Sequence, residues 1–313
     1  MNTLKIVTGA GPVGWTVATQ LADAGHQVRV LTRSGTGPEH PLVELRRVDA
    51  GSREELAPAM AGADAIFHCI HGSSYDAAVW RRELPRAEEV VLEAAGQAGA
   101  VAVFPESLYS YSNPELPMLE SSVRLAGGGK RGVRRELLAA RAASATPTVS
   151  VVASDFFGPR VRFAHAGERM VPRLLAGKRV MVVGSAGQPH SFTYVPDLAA
   201  AMIRAAELPS ANNRVLHAPT GPALTQRELA RALAAAAGEP APKVAAIPGW
   251  TMRLGGVFSR QMRELAETLY QFQAPFVMDS AASQEVLGLA PTPLDVAARE
   301  TVNWWRKQAV LAA

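Results

Sequence analysis

The chain has very little cysteine, since Cys69 is the only one among its 313 residues. A single cysteine excludes an internal disulfide and a cysteine-based metal site, and we expect no bound metal. No apolar run reaches the roughly 18 residues that a membrane-spanning helix needs. The apolar stretch near the N-terminus is short and is followed at once by glycines, unlike a signal peptide. We therefore expect a cytoplasmic protein that does not enter a membrane.

The chain also lacks a strong excess of charge. Its formal net charge is +4, and charged residues make up 19% of the sequence. The densest basic group, Lys130–Arg135, is short and typical of a solvated helix face. Nucleic acid is therefore not an expected partner. With 48% hydrophobic residues, the composition is that of an ordinary globular protein.

A strand, a glycine turn and a helix follow one another at the start of the chain. The apolar run Leu4–Val7 predicts a buried strand, and the apolar spacing over about Val13–Ala24 predicts a helix. A second strand is predicted over Gln27–Thr32. This order is that of a dinucleotide-binding unit.

The turn itself carries the G-x-G-x-x-G pattern. Gly9 permits the tight turn, Gly11 lets the backbone approach a pyrophosphate, and Gly14 lets helix and strand pack closely. Pro12 and Val13 begin the helix, whose first N–H groups have no partners within the helix and can bind phosphate. We expect these five residues to contact a dinucleotide.

No acidic residue ends the second strand, where an Asp or Glu would bind the ribose 2′-hydroxyl of NAD. The strand ends instead in Thr32-Arg33-Ser34. The forked guanidinium of Arg33 suits a 2′-phosphate. The sequence therefore predicts NADP(H) as the cofactor.

Strands and helices alternate up to about residue 153, which predicts an α/β fold with a doubly wound parallel (Rossmann) sheet. We expect a smaller, mainly helical C-terminal substrate domain, loop-rich between Gly238 and Gly256. The predicted NADP-binding domain comprises residues 1–158 plus about 190–217. The predicted substrate-binding domain comprises about 159–189 plus 218–313. The further predicted strands are Leu45–Val48, Ala65–Ile70, Val101–Phe104 and Thr148–Ala153.

Several motifs in this order resemble those of the extended short-chain dehydrogenases/reductases, the superfamily that includes sugar epimerases and dehydratases. Thr8–Gly14 resembles their glycine loop, one residue shorter as in the atypical branch. Asp49 matches the acid that contacts the adenine. Ser107–Ser112 resembles the stretch that carries the catalytic serine. Ser154–Pro159 and Phe192–Ala199 resemble two later segments, and the likeness covers nearly the whole chain.

The resemblance implies further contacts. Ser107 takes the place of the catalytic serine, and Tyr109 and Lys130 are candidate catalytic residues beside it. The expected cofactor contacts beyond the glycine turn and Arg33 are Asp49, Ala50, Cys69, Ile70, Lys130, Ser154 and Phe157. The expected substrate pocket consists of His71, Ser107, Tyr109, Phe156, Tyr194 and Trp250. Many relatives pair through the helices after strands four and five, so a homodimer is an option.

The chain departs from the family at its active-site tyrosine. These enzymes use Y-x-x-x-K, in which the lysine lowers the pKa of the tyrosine. Aligning on Lys130 places Ala126 at the tyrosine position, and aligning on Glu136 places Gly128 there and Gly132 at the lysine. The family's asparagine is missing as well. The glycines before Lys130 could leave room for a bulky planar substrate.

Three functions remain open. The first is NADPH-dependent reduction of a ketone or other carbonyl on a small, bulky aromatic or polyketide-type molecule, its proton coming from Tyr109, Tyr111, Lys130, water or the substrate. The second is a non-catalytic NADP(H)-binding sensor. The third is a non-redox isomerase, lyase or cyclase. Nucleotide-sugar epimerisation depends on the missing tyrosine and is disfavoured.

Overall fold

The computed structural model describes residues 4–209 and 212–311. Its strands are β1 (Leu4–Thr8), β2 (Gln27–Thr32), β3 (Val43–Arg47), β4 (Ala63–His68), β5 (Val101–Ser107), β6 (Thr148–Ala153), β7 (Asp155–Phe157), β8 (Val180–Val183), β9 (Phe192–Tyr194), β10 (Arg214–His217) and β11 (Val244–Ile247). Its helices are α1 (Pro12–Asp23), α2 (Arg53–Ala59), α3 (Ala77–Ala98), α4 (Gly129–Ala143), α5 (Val171–Leu175), α6 (Val195–Ala206), α7 (Gln226–Ala237), α8 (Gly249–Phe258), α9 (Arg260–Ala266), α10 (Ala281–Leu287) and α11 (Leu294–Leu311). Short 3₁₀ turns span Leu108–Ser110 and Leu269–Phe272.

A seven-stranded sheet in the order β10-β6-β5-β4-β1-β2-β3 forms the centre of the molecule. All neighbouring strands are parallel, with Val7 opposite Val30 on one side and Phe67 on the other. The strand order reverses beside β1, so the sheet grows outward in both directions. The predicted doubly wound Rossmann fold is confirmed. Strand β10 was not predicted, because only two of its four residues, Val215 and Leu216, are apolar.

Helices cover both faces of the sheet. On one face, α1 packs against α6 and buries Val13, Val17 and Leu21, which recur at helical spacing. On the other face, α2 and α3 bury Leu56 and Val91 against the sheet. Each apolar stripe is removed from water by the sheet, which stabilises the helix that carries it.

A second apolar core lies in the C-terminal part of the chain. It is built from α5, α7 and α11 around two small parallel sheets, β7-β9 and β8-β11. Helix α7 begins at a capping box, in which Thr225 and Glu228 each bond the other's backbone N–H. The stretch Gly238–Gly256, predicted to be loop-rich, instead contains β11 and most of α8. Pairing with β8 stabilises β11, and the local sequence gives no sign of that partner.

None of the helices within residues 4–209 and 212–311 is long and apolar enough to cross a membrane. Over the same residues, no group of His, Cys, Asp and Glu side chains is arranged to hold a metal ion.

Candidate functional site

A cavity of about 1630 Å³ lies at the carboxyl edge of the parallel sheet. It extends from the glycine turn after β1, past the ends of β2, β4, β5 and β6, to the 3₁₀ turn after α9. The crevice outside the carboxyl ends of the strands, where the strand order reverses, is the usual ligand site of such sheets. The predicted site residues can therefore be judged by whether they line this cavity.

The glycine turn has the geometry that a dinucleotide requires. Gly9 has a φ of +85°, and a Cβ at Gly14 would lie 2.0 Å from the carbonyl oxygen of Gly9. A Cβ at Gly11 would meet no atom within 4 Å, so this position is free for a ligand. Gly11 also caps α1 without a side-chain hydrogen bond, and Pro12 follows it. Backbone N–H groups at the start of α1 are thus available to a pyrophosphate.

Arg33 directly follows β2, at the same edge of the sheet as the glycine turn. It is exposed, lines the cavity, and its side chain makes no hydrogen bond to any of the described residues. Asp49 and Ala50 line the same part of the cavity, and Asp49 Oδ1 accepts a hydrogen bond of 2.9 Å from the backbone N–H of Gly51. The structure therefore brings these three predicted residues together.

Strand β4 delivers the next group of predicted residues. Cys69, Ile70 and His71 line the cavity directly after the strand, and the backbone N–H of Cys69 bonds Thr8. His68 is buried before them, with Nδ1 2.8 Å from the hydroxyl of Thr8 and Nε2 unpartnered among the described residues. Burial, with the charges of two nearby arginines, lowers the pKa of His68 to about 3, so its ring is neutral.

Ser107 ends β5 and faces the cavity, held by the residue before it. Its backbone N–H and its hydroxyl donate to Glu106 Oε1 at 2.7 and 3.2 Å. The Glu106 carboxylate is buried, bonded to Arg141 at 2.9 Å and placed 3.5 Å from Arg134. Because Arg141 holds the Glu106 carboxylate in place, this carboxylate in turn fixes the orientation of the Ser107 hydroxyl at the cavity.

Tyr109 also lines the cavity, and it has a partner that sequence reasoning missed. Its phenol oxygen lies 2.8 Å from that of Tyr75, in the loop before α3, which likewise lines the cavity. Desolvation raises the pKa of Tyr75 to about 12, and burial and the neighbouring Tyr75 raise that of Tyr109 well above its usual value. Both phenols are therefore protonated at neutral pH.

Tyr75 is one of the five tyrosines of the chain, and only its structural surroundings distinguish it from Tyr111, Tyr194 and Tyr270. Tyr111 bonds His217 at 2.5 Å, Tyr194 bonds Glu300, and Tyr270 does not line the cavity. No local motif marks Tyr75, because the family pattern places the tyrosine on α4.

Lys130 is not brought to the cavity, and the expected ribose contact has no support. Its side chain is fully buried at the start of α4, where the ammonium binds Glu264 and lies 2.8 Å from Glu267. The space beside Gly129 is filled, since a Cβ there would lie 2.0 Å from Glu267, whereas a Cβ at Gly128 would meet no atom within 4 Å. None of the three glycines before Lys130 lines the cavity. Lys130 reaches the site only indirectly, with Nζ 4.6 Å from the centre of the Tyr75 ring.

Four further predicted residues lie outside the cavity lining. Gly14 supports the turn from within α1. Phe157 and Tyr194 pack together in the C-terminal core, with ring centres 5.3 Å apart. Trp250 lies on the outer surface of α8, 66% exposed. Phe156 and Ser154 do line the cavity. Phe156 lines the cavity and Phe157 does not, because successive side chains along β7 point to opposite faces of the strand.

A buried polar pair that sequence reasoning missed adjoins the cavity. Asp155 lines it, and Oδ2 of this residue lies 2.6 Å from Nε2 of His190. The other ring nitrogen of His190 lies 3.0 Å from the carbonyl oxygen of Gln271. No sequence motif joins these three residues, which come from β7, the loop before β9 and the 3₁₀ turn after α9.

Three solved structures illustrate the likeness of the whole fold. The UDP-glucose 4-epimerase of Thermotoga maritima is 19% identical, with a TM-score of 0.76 over 98% of this chain and 99% of that one. WbmH of Bordetella bronchiseptica, solved with NAD⁺, is 18% identical, with a TM-score of 0.75 over 97% and 98%. The UDP-glucuronic acid 4-epimerase of Bacillus cereus, solved with NAD, is 16% identical, with a TM-score of 0.74 over 97% and 99%.

At these identities the likeness establishes the fold and not the substrate. No curated protein matches the sequence. One family model does match, over residues 6–217, a range that includes the glycine turn, Arg33, Ser107 and the Asp155–His190 pair. By this match the chain belongs to the NAD dependent epimerase/dehydratase family.

Proposed function

We propose that the protein is an enzyme that reduces a carbonyl group of a small molecule with NADPH. The observation that carries this proposal is the meeting of Ser107 and the Tyr75–Tyr109 pair in one cavity with the glycine turn and Arg33. Ser107 and the two tyrosines can bind and protonate a carbonyl oxygen. The glycine turn and Arg33 can hold a dinucleotide.

The residues around the glycine turn and Arg33 are suited to binding NADPH. The free space at Gly11 and the N–H groups of α1 would receive the pyrophosphate. The exposed guanidinium of Arg33 would bind the 2′-phosphate, and Asp49 would contact the adenine. Bound there, NADPH would supply the hydride for the carbonyl carbon.

The chain itself would handle the proton. Ser107 Oγ would turn from Glu106 to donate a hydrogen bond to the carbonyl oxygen. Tyr109 would give its phenolic proton to the oxygen as negative charge develops there. Tyr75, 39% exposed, would replace that proton across the 2.8 Å bond between the two phenols.

The protonation state of the phenols favours reduction over epimerisation. Epimerisation of a sugar hydroxyl begins with removal of its proton, for which a phenolate is the base. The raised pKa values of Tyr75 and Tyr109 disfavour a phenolate. The start of α4 and the loop before it offer no replacement, since Ala126, Gly128 and Gly132 stand where the tyrosine and lysine of the family are expected.

We further propose that the segments 159–189 and 218–313 bind the substrate, while 1–158 and 190–217 bind the cofactor. Residues of the first set complete the cavity wall opposite the glycine turn. The wall residues from these segments are Val161, Arg162, Phe163, Ala164, His165, Arg169, Leu265, Thr268, Gln271 and Phe276. Phe163, Phe276 and the nearby Phe156 are apolar surfaces that an extended carbonyl compound would contact.

A homodimer through α3 and α4 is a separate proposal. The two helices pack side by side on one face of the sheet, and exposed Arg81 and Glu136 form an ion pair of 2.9 Å across them. Light scattering with Glu136→Arg beside the unmodified protein tests it. A monomer in both cases would contradict it.

The test of the proposed function is NADPH oxidation with a panel of aliphatic, hydroxylated and aromatic carbonyl compounds, using Ser107→Ala and a control, Ser110→Ala. Ser110 is buried, its hydroxyl has no partner within residues 4–209 and 212–311, and it does not line the cavity. Loss of the Ser107 hydroxyl should lower kcat about 100-fold, as for loss of one oxyanion donor. Ser110→Ala should leave kcat unchanged.

Two outcomes would contradict the proposal. Tight NADPH binding with no turnover of any carbonyl would indicate a cofactor-binding sensor. Turnover that is equal in Ser107→Ala and Ser110→Ala would remove Ser107 from the mechanism.

A further inference from the structure

The ring of His190 is enclosed by aromatic side chains and holds Asp155 in place. It is buried, stacked on Phe272 at 4.7 Å and on Phe276 at 5.2 Å. Its Nδ1 lies 3.0 Å from the carbonyl oxygen of Gln271 and its Nε2 lies 2.6 Å from Asp155 Oδ2, so both ring nitrogens have a partner. Burial raises the pKa of Asp155, but the bond and charge of His190 outweigh it and keep that pKa below its usual value.

One carboxylate oxygen of Asp155 is left for a ligand. Oδ2 is bound by His190, whereas Oδ1 accepts no hydrogen bond from residues 4–209 or 212–311. The side chain is 17% exposed and lines the cavity. Asp155 therefore presents a fixed acceptor.

Gln271 presents a donor in the same cavity. The residue is 3% exposed, and its side-chain Nε2 is buried with no partner among the described residues. Its backbone carbonyl is fixed by the same His190 ring. An unpaired buried donor is costly unless a ligand satisfies it.

We propose that Asp155 Oδ1 and Gln271 Nε2 form a subsite for a hydroxyl group on the substrate, next to the carbonyl that is reduced. A hydroxyl meets both demands with one oxygen atom, since it donates to Asp155 and accepts from Gln271. An ammonium group could not accept from Gln271, and a second carbonyl could not donate to Asp155. The substrate class is thus a hydroxy ketone, an assignment that rests on the proposed reductase function.

The test uses ketones that differ by one hydroxyl. The probes are acetoin beside butanone and phenacyl alcohol beside acetophenone. The variants are Asp155→Leu and Gln271→Met, with Gln273→Met as control. Asp155→Leu removes both carboxylate oxygens at similar side-chain volume, so the acceptor is lost. Gln273 is exposed, does not line the cavity, and contacts Arg253 at 3.3 Å.

We expect each site variant to raise KM for the hydroxylated ketone about ten-fold, the value of one hydrogen bond, and to leave KM for its partner unchanged. The control should change neither. An equal rise for both members of a pair would overturn the subsite. Calorimetric binding of the same ketones to the protein with NADP⁺ makes the test independent of turnover.

The two proposals fail differently. If binding discriminates the hydroxylated ketones and the site variants abolish that discrimination, but no ketone is reduced, the subsite stands and the reductase proposal falls. If ketones are reduced without discrimination in either KM or binding, the reductase proposal stands and the subsite falls.

Discussion

The phenol oxygens of Tyr75 and Tyr109 lie 2.8 Å apart, although the two residues come from different loops of the chain. Tyr75 follows β4 and Tyr109 follows β5, and the adjacent carboxyl ends of these parallel strands bring them together. Both residues line the large cavity. Two protonated phenols thus lie side by side in the cavity of a chain that lacks the family's tyrosine.

Loss of either phenol should slow carbonyl reduction. Tyr109→Phe removes the proton donor and should lower kcat by about 100-fold or more, and Tyr75→Phe should lower kcat and reduce the solvent isotope effect. Tyr270→Phe is the matched control, because its buried hydroxyl is unpartnered among the described residues and does not line the cavity. Steady-state rates in H₂O and D₂O measure this. Equal kcat in all three variants would remove the pair from the reaction.

Arg33 should determine the preference for NADPH over NADH. Arg33→Ala removes a charged donor to the 2′-phosphate and should weaken NADPH binding about 10- to 100-fold, with NADH binding unchanged. Arg46→Ala is the control, since this exposed β3 residue pairs with Glu44 and does not line the cavity. Fluorescence titration with both dinucleotides gives the ratio. An unchanged ratio in Arg33→Ala would contradict the 2′-phosphate role.

Two glycines of the same turn should respond differently to a methyl group. Gly11→Ala places its Cβ in free space at a φ of −70°, so the melting temperature should be kept while dinucleotide binding weakens. Gly14→Ala drives a Cβ to 2.0 Å from the Gly9 carbonyl oxygen, so it should lower the melting temperature. Calorimetry without and with NADPH separates the effects. Normal NADPH affinity in Gly11→Ala would place the pyrophosphate elsewhere.

Lys130 should contribute to stability. Lys130→Met leaves Glu264 and Glu267 without their buried cation and should lower the free energy of unfolding by about 3 kcal/mol. At a temperature where the variant is folded, kcat should fall far less than in Tyr109→Phe. Lys178→Met, at an exposed position, is the control. Urea unfolding and kcat, measured together, distinguish a stabilising role of Lys130 from a catalytic one. A loss of kcat with an unchanged free energy of unfolding would indicate that Lys130 is catalytic.

His68 should make the protein less stable in mild acid. Its pKa is about 3 in the folded state, below the ordinary value of 6.5, so the unfolded chain binds the proton more readily. The contribution of neutral His68 to the free energy of unfolding is fully present above pH 6.5 and is lost as the pH falls towards 3. From pH 6.5 to about pH 5 the loss is about 2 kcal/mol. Urea unfolding of His68→Gln should show a correspondingly shallower pH dependence than that of the unmodified protein. If the free energy of unfolding of His68→Gln depended on pH as steeply as that of the unmodified protein, His68 would not be the source of the acid sensitivity.

Local patterns were enough to predict the Rossmann fold and several residues that line the cavity. Gly9, Gly11 and Arg33, predicted as dinucleotide contacts, line it because a local order of strand, turn and helix places them at the carboxyl edge of the sheet. Ser107 was found for a similar reason, since it directly follows a strand whose place in the sheet is predictable. Such features involve neighbours in the chain, and a local pattern can carry them.

Only the tertiary structure decided the other half of the site. It joined Tyr75 to Tyr109 across two strands, bound Lys130 to carboxylates more than a hundred residues away, and placed Asp155 and Gln271 around the ring of His190. It also put Tyr194 and Trp250 outside the cavity. A side chain's partners depend on packing between distant segments, and their separation in the sequence leaves no periodic or local signal of it.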